Sequence, residues 1–378
     1  MIPKPHLPDL PWKTPSRDSD LARCCTILAP VLRYYELDTP RIIGALKARK
    51  AFLMQSNTFL IADRMGRRLI LRQYHPGTPQ EEIVFEHSIL LHLAAKGFPV
   101  AAPIATSMGK TFLSGNGSFI ALFPYIQGIN YRDYIFSPHR KRTYVNEGGR
   151  TLGLYHRYME RFVPHGMKTP PTLRETLERL DAALRDIRTV PRLRRGAESA
   201  VRKLASFIDL FSTRLGEVER RLRQLPSLIT HWDFGSHNIL YRDERVVAVL
   251  DFTDAHEAPR AHDVIYAVSE FASTFWDRVD ARLAAAFLEG YQMMTRLEEV
   301  EMCSMPLVYQ VKRILELPEH VRASYSPSGD RWSPTRMLLR FLDELQWFED
   351  HNEFIVDRLL WASRSAGRCS SGSHHSAG

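Results

Sequence analysis

A chain of 378 residues, 44% hydrophobic and 25% charged, is too long for one average core, and its composition excludes fibrous, collagen-like and wholly disordered classes. A net charge of +8 admits an anionic partner, but the chain has no nucleic-acid module, and its densest basic stretch, residues 185–223, interleaves acids at helical spacing as a solvated face does. The cysteines (Cys24, Cys25, Cys303, Cys369) have no C-x-x-C or zinc spacing, the Pro-rich start lacks an apolar signal core, and no run approaches the ~18 apolar residues that cross a bilayer, so a cytoplasmic protein with no membrane and no nucleic-acid partner is expected.

Residues 1–44 read as an extended arm followed by a short helix over 21–37. Residues 45–125 then alternate apolar runs with Gly and Pro punctuation. The order is strand, strand, strand, helix, strand, strand: a small antiparallel sheet carrying one helix, over 78–98, with Thr78 as its cap and Gly97 as its stop. Residues 126–362 are mainly helical, with apolar periodicity over 140–162, 172–187, 196–224, 260–296, 301–318 and 334–361. The Ser/Gly/His-rich residues 363–378 cannot build a core and read as a disordered tail. The fold class is therefore α+β, and no internal repeat interrupts it.

The chemistry concentrates in "LITHWDFGSHNILYRDERVVAVLDF", residues 228–252. Ile239-Leu240 and Val246–Leu250 read as two short strands joined at Asp243-Glu244. That hairpin puts Asp233 and Asn238 on the loop before it and Asp251 just after it, where buried strands can anchor polar groups. The trio suits phosphoryl transfer. Asp233 can orient a hydroxyl nucleophile and accept its proton, while Asn238 and Asp251 offer the hard oxygens that Mg2+ prefers. Such a reaction asks for positioning and charge neutralisation more than for covalent help.

His231-Trp232-Asp233, the four residues to Asn238, and Leu250-Asp251-Phe252 together resemble the signature of the aminoglycoside phosphotransferase and choline-kinase-like small-molecule kinases, H-x-D-x-x-x-x-N followed by (I/L)-D-(F/W). The resemblance covers about residues 45–290. It implies a protein-kinase-like bilobal fold, with a small antiparallel-sheet N-lobe bearing one helix and a larger, mainly helical C-lobe. It also implies Asp233 as the catalytic residue, Asn238 and Asp251 as metal ligands, His231 as a brace of the loop and Asp263 as a structural residue. In the N-terminal half, "RLILRQY" places Arg72 where the family keeps the cation for the nucleotide phosphates, and Glu86 where its helix partner stands. "ALFPYIQG" resembles the hinge, with adenine against the backbone of Phe123, Tyr125 and Ile126. The phosphate loop departs from the family because it has no glycine, leaving Ser56, Asn57 and Thr58 to offer amides and hydroxyls.

The implied co-substrate is ATP, with GTP as an alternative. The acceptor is a hydroxylated small molecule: an amino sugar, an amino alcohol, or a hydroxy amino acid such as homoserine. Trp232, Asp254, His256 and Glu257 are acceptor-side candidates, and the acidic, aromatic stretch 341–354 with Trp347 would suit a cationic amine. A non-catalytic nucleotide-binding protein and a protein kinase are the alternatives. Nothing in the sequence indicates the oligomeric state.

Overall fold

The computed structural model describes residues 31–37, 39–45, 57–115, 118–130, 138–188, 195–272, 280–324 and 334–371. They fall into two compact units, one of residues 1–128 with 163–168 and 247–250, the other of 129–162, 169–246 and 251–378.

The first unit is built on β1 (Arg41–Ala45), β2 (Asn57–Ala62), β3 (Arg68–Gln73), β4 (Leu113–Gly115) and β5 (Ser118–Pro124). They form one antiparallel sheet in the order β1-β2-β3-β5-β4. The strand alternation sends Phe59, Ile61, Leu69, Leu71, Ile120 and Leu122 to one face, where they pack with Val31, Leu32 and Tyr35. The pairs Ile70–Phe123 and Arg72–Ala121 point the other way, toward α1 (Gln80–Ala95). The end of α1 is a Schellman motif: Gly97, at φ 72°, donates to Ala94, and Phe98 donates to Leu93. Its start differs from expectation, because Pro79 is the N-cap and no side chain caps it. The first strand of the sheet lies at Arg41–Ala45, ahead of the expected "AFLM", which falls outside the described residues, as does most of the expected 21–37 helix.

The second unit contains α2 (Pro138–Met159), α3 (Leu173–Arg188), α4 (Arg195–Thr213), α5 (Leu215–Leu222), α6 (Ala261–Ala272), α7 (Ala281–Gln292), α8 (Glu299–Ser324), α9 (Pro334–Asp350) and α10 (Asn352–Ser371). Leucines and valines from α3, α4, α5, α8 and α9 share one core. Helices α2 and α7 approach so closely that a Cβ on Gly149 would sit 2.0 Å from the Phe287 carbonyl oxygen, and one on Gly290 1.9 Å from that of Asn146. Glycine at both positions is therefore a packing requirement.

Three expected long helices are each divided. The 196–224 run breaks at Arg214, and 334–361 breaks at His351, whose amide and ring both bond the Trp347 carbonyl. The 260–296 run restarts at α7, where Asp280 caps the amides of Arg282 and Leu283. Part of the stretch expected as a tail from residue 363 is helical, because α10 runs to Ser371 and buries Leu359 and Ala362; residues 372–378 lie outside the described residues. The short strands are β6 (Ile129–Asn130), β7 (Ser227–Thr230), β8 (Ile239–Arg242), β9 (Arg245–Val249) and β10 (His256–Pro259). β10 pairs antiparallel with β7, and a second small sheet runs β6-β8-β9. Asp243 and Glu244, both at positive φ, form the tight turn between β8 and β9.

Buried in the first unit, His87 bonds Tyr74 Oη (3.0 Å) and Thr111 Oγ1 (2.8 Å) and meets the rings of Phe112 and Phe123 edge-on. Burial, and then the charge of Arg72, push its pKa from the ordinary 6.5 down to about 3. The unfolded chain therefore binds this proton first. The neutral histidine's contribution is complete above pH 6.5 and is lost as pH falls toward 3, by up to about 1.4 kcal/mol per pH unit. The urea midpoint should fall between about pH 7.5 and about pH 5. In His87→Asn, less stable overall, that fall should be smaller; an unchanged slope would contradict a buried neutral His87.

Candidate active site

Buried strand β7 delivers the chain into His231, Trp232 and Asp233, and here the backbone is unusual. Trp232 sits at φ 69°, a left-handed conformation that costs a bulky residue about 1–3 kcal/mol. The buried carboxylate of Asp263, in the first turn of α6, holds it there. Asp263 Oδ2 accepts from the His231 amide and Oδ1 from the Trp232 amide, each at 2.8 Å. His156 Nε2 lies 3.2 Å from Oδ2, and its Nδ1 bonds Tyr291 Oη at 2.8 Å. Burial alone would raise the Asp263 pKa, but the bond from His156 and the nearby His156 and His231 hold it below the usual range. The His231 ring is itself buried, against Phe252 (4.6 Å between centroids) and Phe234 (5.7 Å).

Three side chains converge on the Asp233 carboxylate. Oδ1 accepts from Tyr266 Oη at 2.7 Å, and Oδ2 from Asn238 Nδ2 at 2.9 Å and His237 Nε2 at 3.1 Å. The Asn238 amide also bonds the Asp233 carbonyl (3.0 Å), so its nitrogen is turned inward and its oxygen away. A 3-10 turn over Ser236–Asn238 makes this reach possible, and Asn130 pins it through the His237 carbonyl at 2.6 Å. Burial pushes the Asp233 pKa up, yet His237, the Lys312 charge and Tyr266 outweigh it and hold the carboxyl down to about 2. For His237 burial is likewise outweighed, by Asp233 and by Glu270 at 3.6 Å, and its pKa rises to about 9. At neutral pH Asp233 and His237 on the loop and Glu270 in α6 thus form a carboxylate–imidazolium–carboxylate row. Asp233 is a fixed, ionised acceptor, suited to orient a hydroxyl.

Asn238 stands directly before β8, and Asp251 stands two residues after β9. Asp251 is exposed, has φ 61°, and accepts a hydrogen bond from Thr253 Oγ1. An amide oxygen and a carboxylate are a hard-oxygen donor pair of the kind magnesium takes when phosphate oxygens complete its shell. Among the described residues no group of three or more His, Cys, Asp or Glu is placed to hold a metal, and this donor pair does not need one.

In the first unit, Arg72 pairs with Glu86 at 2.9 Å, and its guanidinium lies 4.8 Å from the Tyr74 ring centre. Asn57 and Thr58 lie on β2 opposite Gln73 and Arg72, while Ser56 lies outside the described residues. Phe123 is buried, and the Tyr125 amide bonds the Arg68 carbonyl at 3.2 Å. Within the expected hinge the Tyr125 N–H is therefore spent on the sheet; Ile126 follows it in irregular chain.

The acceptor-side expectations need correcting. Trp232 is buried, its ring tilted against those of His256 (4.3 Å) and His262 (4.8 Å), with Lys312 Nζ 4.5 Å from its ring centre. His256 is buried too and donates from Nδ1 to the Asp254 carbonyl at 2.7 Å. Neither lines a surface; Asp254 and Glu257 do reach solvent. In the 341–354 stretch, Glu344 pairs with Arg313, Glu349 pairs with Arg214, and Trp347 stacks on His351, so these groups hold helices together. The sequence reading missed His237, Tyr266, Glu270 and Lys312. Two had a signal: Tyr266 and Glu270 lie three and seven residues after Asp263, on one face of a helix.

The sequence model of the phosphotransferase enzyme family matches residues 53–300. The chain belongs to the phosphotransferase enzyme family. A homoserine kinase of Phenylobacterium zucineum (strain HLK1) is 21% identical over 282 residues, 74% of this chain and 80% of that one. Among solved structures, an amicoumacin kinase in complex with AMP-PNP and Ca2+ aligns with a TM-score of 0.61 at 14% identity, over 87% of this chain and 96% of that one. A microcompartment-associated aminopropanol kinase aligns with a TM-score of 0.58 at 15% identity, over 88% and 99%. The protein-kinase-like α+β fold of these small-molecule kinases is thus the fold of this family member. Its matched region holds the whole H-x-D-x-x-x-x-N segment, Asp251 and Asp263, and stops before Lys312.

Asp263→Asn tests the clamp. An amide at this position offers one oxygen to two backbone N–H groups and sets its own NH2 against one of them. The expected loss is about 3 kcal/mol of unfolding free energy, read from urea midpoints. Asp263→Asn at wild-type stability would contradict the clamp.

Proposed function

We propose that this phosphotransferase moves the γ-phosphoryl group of ATP to the hydroxyl of a small molecule that also carries an amino group, an amino alcohol or hydroxy amino acid. The observation that carries the reading is Asp233, an ionised and largely buried carboxylate fixed by Tyr266, His237 and Asn238. Family membership supports the reaction type. For the acceptor class, the support is the similarity to a homoserine kinase and the fold likeness to an aminopropanol kinase. L-Homoserine is the first candidate.

In this reading the acceptor hydroxyl donates to Asp233, which lines its oxygen up with the γ-phosphorus. A P–O bond forms to the acceptor as the bond to ADP breaks, and the hydroxyl proton passes to Asp233 and then to water. Asn238 and Asp251 would hold magnesium, which would neutralise phosphate charge. Arg72, kept in place by Glu86, faces the nucleotide phosphates, with Thr58 opposite it on β2. The hinge backbone at Phe123–Ile126 takes the adenine. Asp254 and Glu257 are the exposed carboxylates nearest Asp251 in sequence, and they are the candidates to meet the acceptor's ammonium.

The test is ADP release with ATP or GTP and MgCl2 against L-homoserine, 1-amino-2-propanol, ethanolamine, choline and an aminoglycoside. One acceptor should turn over well above water, and Asp233→Asn should lower its kcat by about 1000-fold or more. Equal rates for wild type and Asp233→Asn with every acceptor would remove the catalytic reading. Arg72→Ala should raise the apparent nucleotide KM about 10-fold and spare the acceptor KM. Asn238→Ala and Asp251→Asn should raise the Mg2+ concentration needed for half-maximal turnover; wild-type turnover of Asp251→Asn at low Mg2+ would unseat the metal assignment.

A further inference from the structure

Lys312 lies in α8, beyond the part of the chain that the phosphotransferase family model covers. It is fully buried, which is rare for a lysine. Its ammonium donates to the Trp232 carbonyl at 2.5 Å and to Glu316 Oε1 at 2.6 Å. It also lies 4.5 Å from the Trp232 ring centre and 4.2 Å from that of Tyr266. Two of these contacts end on groups that lead to Asp233. The Trp232 carbonyl belongs to the peptide leading into Asp233, and the Tyr266 hydroxyl donates to Asp233 Oδ1. Asp263 takes the N–H of Trp232 while Lys312 takes its C=O, so the left-handed residue is fixed at both ends.

We propose that Lys312 is a positioning residue for the phosphoryl transfer: from outside the family-matched region, it sets the direction of the Asp233 carboxylate by gripping the Trp232 carbonyl and the Tyr266 ring together. It touches neither nucleotide nor acceptor. A lysine used only to tether helices would be expected to pair with a carboxylate across helices, as Arg313 does one residue on. Arg313 pairs with Glu316 and Glu344 and lies over the Phe341 ring, joining α8 to α9. Lys312 instead turns inward, between two aromatic faces, toward a backbone oxygen. Glu316 supplies the counter-charge that lets the ammonium stay buried.

The inference rests on the phosphotransfer reading above, so Asp233→Asn is carried alongside. Turnover is measured with whichever acceptor of that panel reacts fastest, or with water as acceptor if none exceeds it. Lys312→Met keeps the apolar stem and removes the charge. The expected result is a kcat lowered about 10- to 100-fold, with nucleotide and acceptor KM within about 3-fold of wild type. Lys312→Arg, which restores a donor toward the carbonyl, should recover part of that loss. Arg313→Gln should lower the melting temperature and leave kcat unchanged. Should Lys312→Met not fold, Glu316→Gln is read in its place, with kcat about 3- to 10-fold lower at unchanged KM. A wild-type kcat in the folded Lys312 variant, or in Glu316→Gln where that replaces it, overturns the proposal, and so does a loss that merely follows the folded fraction. If Asp233→Asn is inactive and Lys312→Met is not impaired, the positioning role alone fails. If Asp233→Asn is fully active, the phosphotransfer reading fails first.

Discussion

Two consecutive backbone amides, those of His231 and Trp232, end on the carboxylate of Asp263, and the geometry of the catalytic loop follows from that contact. A buried carboxylate needs donors, and a left-handed tryptophan needs something to hold it. Each requirement answers the other. The clamp fixes the peptide planes ahead of Asp233, so that the side chain leaves the loop in one direction, toward Tyr266, Asn238 and His237. His156 closes the far side of Asp263 and passes the connection to Tyr291 in α7. Without the clamp, strain of a few kcal/mol at Trp232 would be relieved by rotating the very peptide that aims Asp233.

Charge alternation continues the same logic outward. Glu270 in α6 and His237 and Asp233 on the loop alternate in sign. Lys312, Glu316, Arg313 and Glu344 alternate along α8 and across to α9. Isolated, each buried ion would be costly to desolvate. As rows, each charge lies beside an opposite one. The low pKa of Asp233 and the high pKa of His237 are two views of one such row. In the proposed reaction they make Asp233 a residue that stays ionised and directs a proton, taking it only as the hydroxyl oxygen becomes bonded to phosphorus.

The parts of this molecule that were legible in the sequence are those in which local pattern and tertiary role coincide. The period-2 strands of "NTFLIA" and "RLILRQ" bury one face as their alternation requires, and the H-x-D-x-x-x-x-N spacing places Asn238 against Asp233 because the turn length allows little else. Arg72 and Glu86, fourteen residues apart, were read as a pair and stand 2.9 Å apart. What escaped were choices made by packing. Trp232 looks in sequence like a lining residue beside the reacting carboxylate, yet its left-handed backbone turns the ring inward onto His256 and His262. Helix breaks at Arg214 and His351 leave no Gly or Pro signature at the break itself. Lys312 sits in "VYQVKRILEL" as one cation in an apolar stripe, which sequence alone assigns to a snorkelling surface lysine.

The inward Trp232 has a consequence for specificity. A smaller residue between the histidine and the aspartate would leave its space to solvent or substrate; the indole fills that space and is closed off by Lys312 and by the histidine rings. The loop's own side chains then offer an incoming molecule the Asp233 carboxylate and little more, since His237 and Asn238 are already turned onto it. Discrimination among hydroxylated acceptors has to come from elements that approach Asp233 from elsewhere in the second unit. In the proposed reaction the loop sets where the hydroxyl stands, through a clamp built on α2, α6 and α8 together. A substitution in any of these helices can therefore misdirect a carboxylate it does not touch, and such an effect would register in kcat before it registers in either KM.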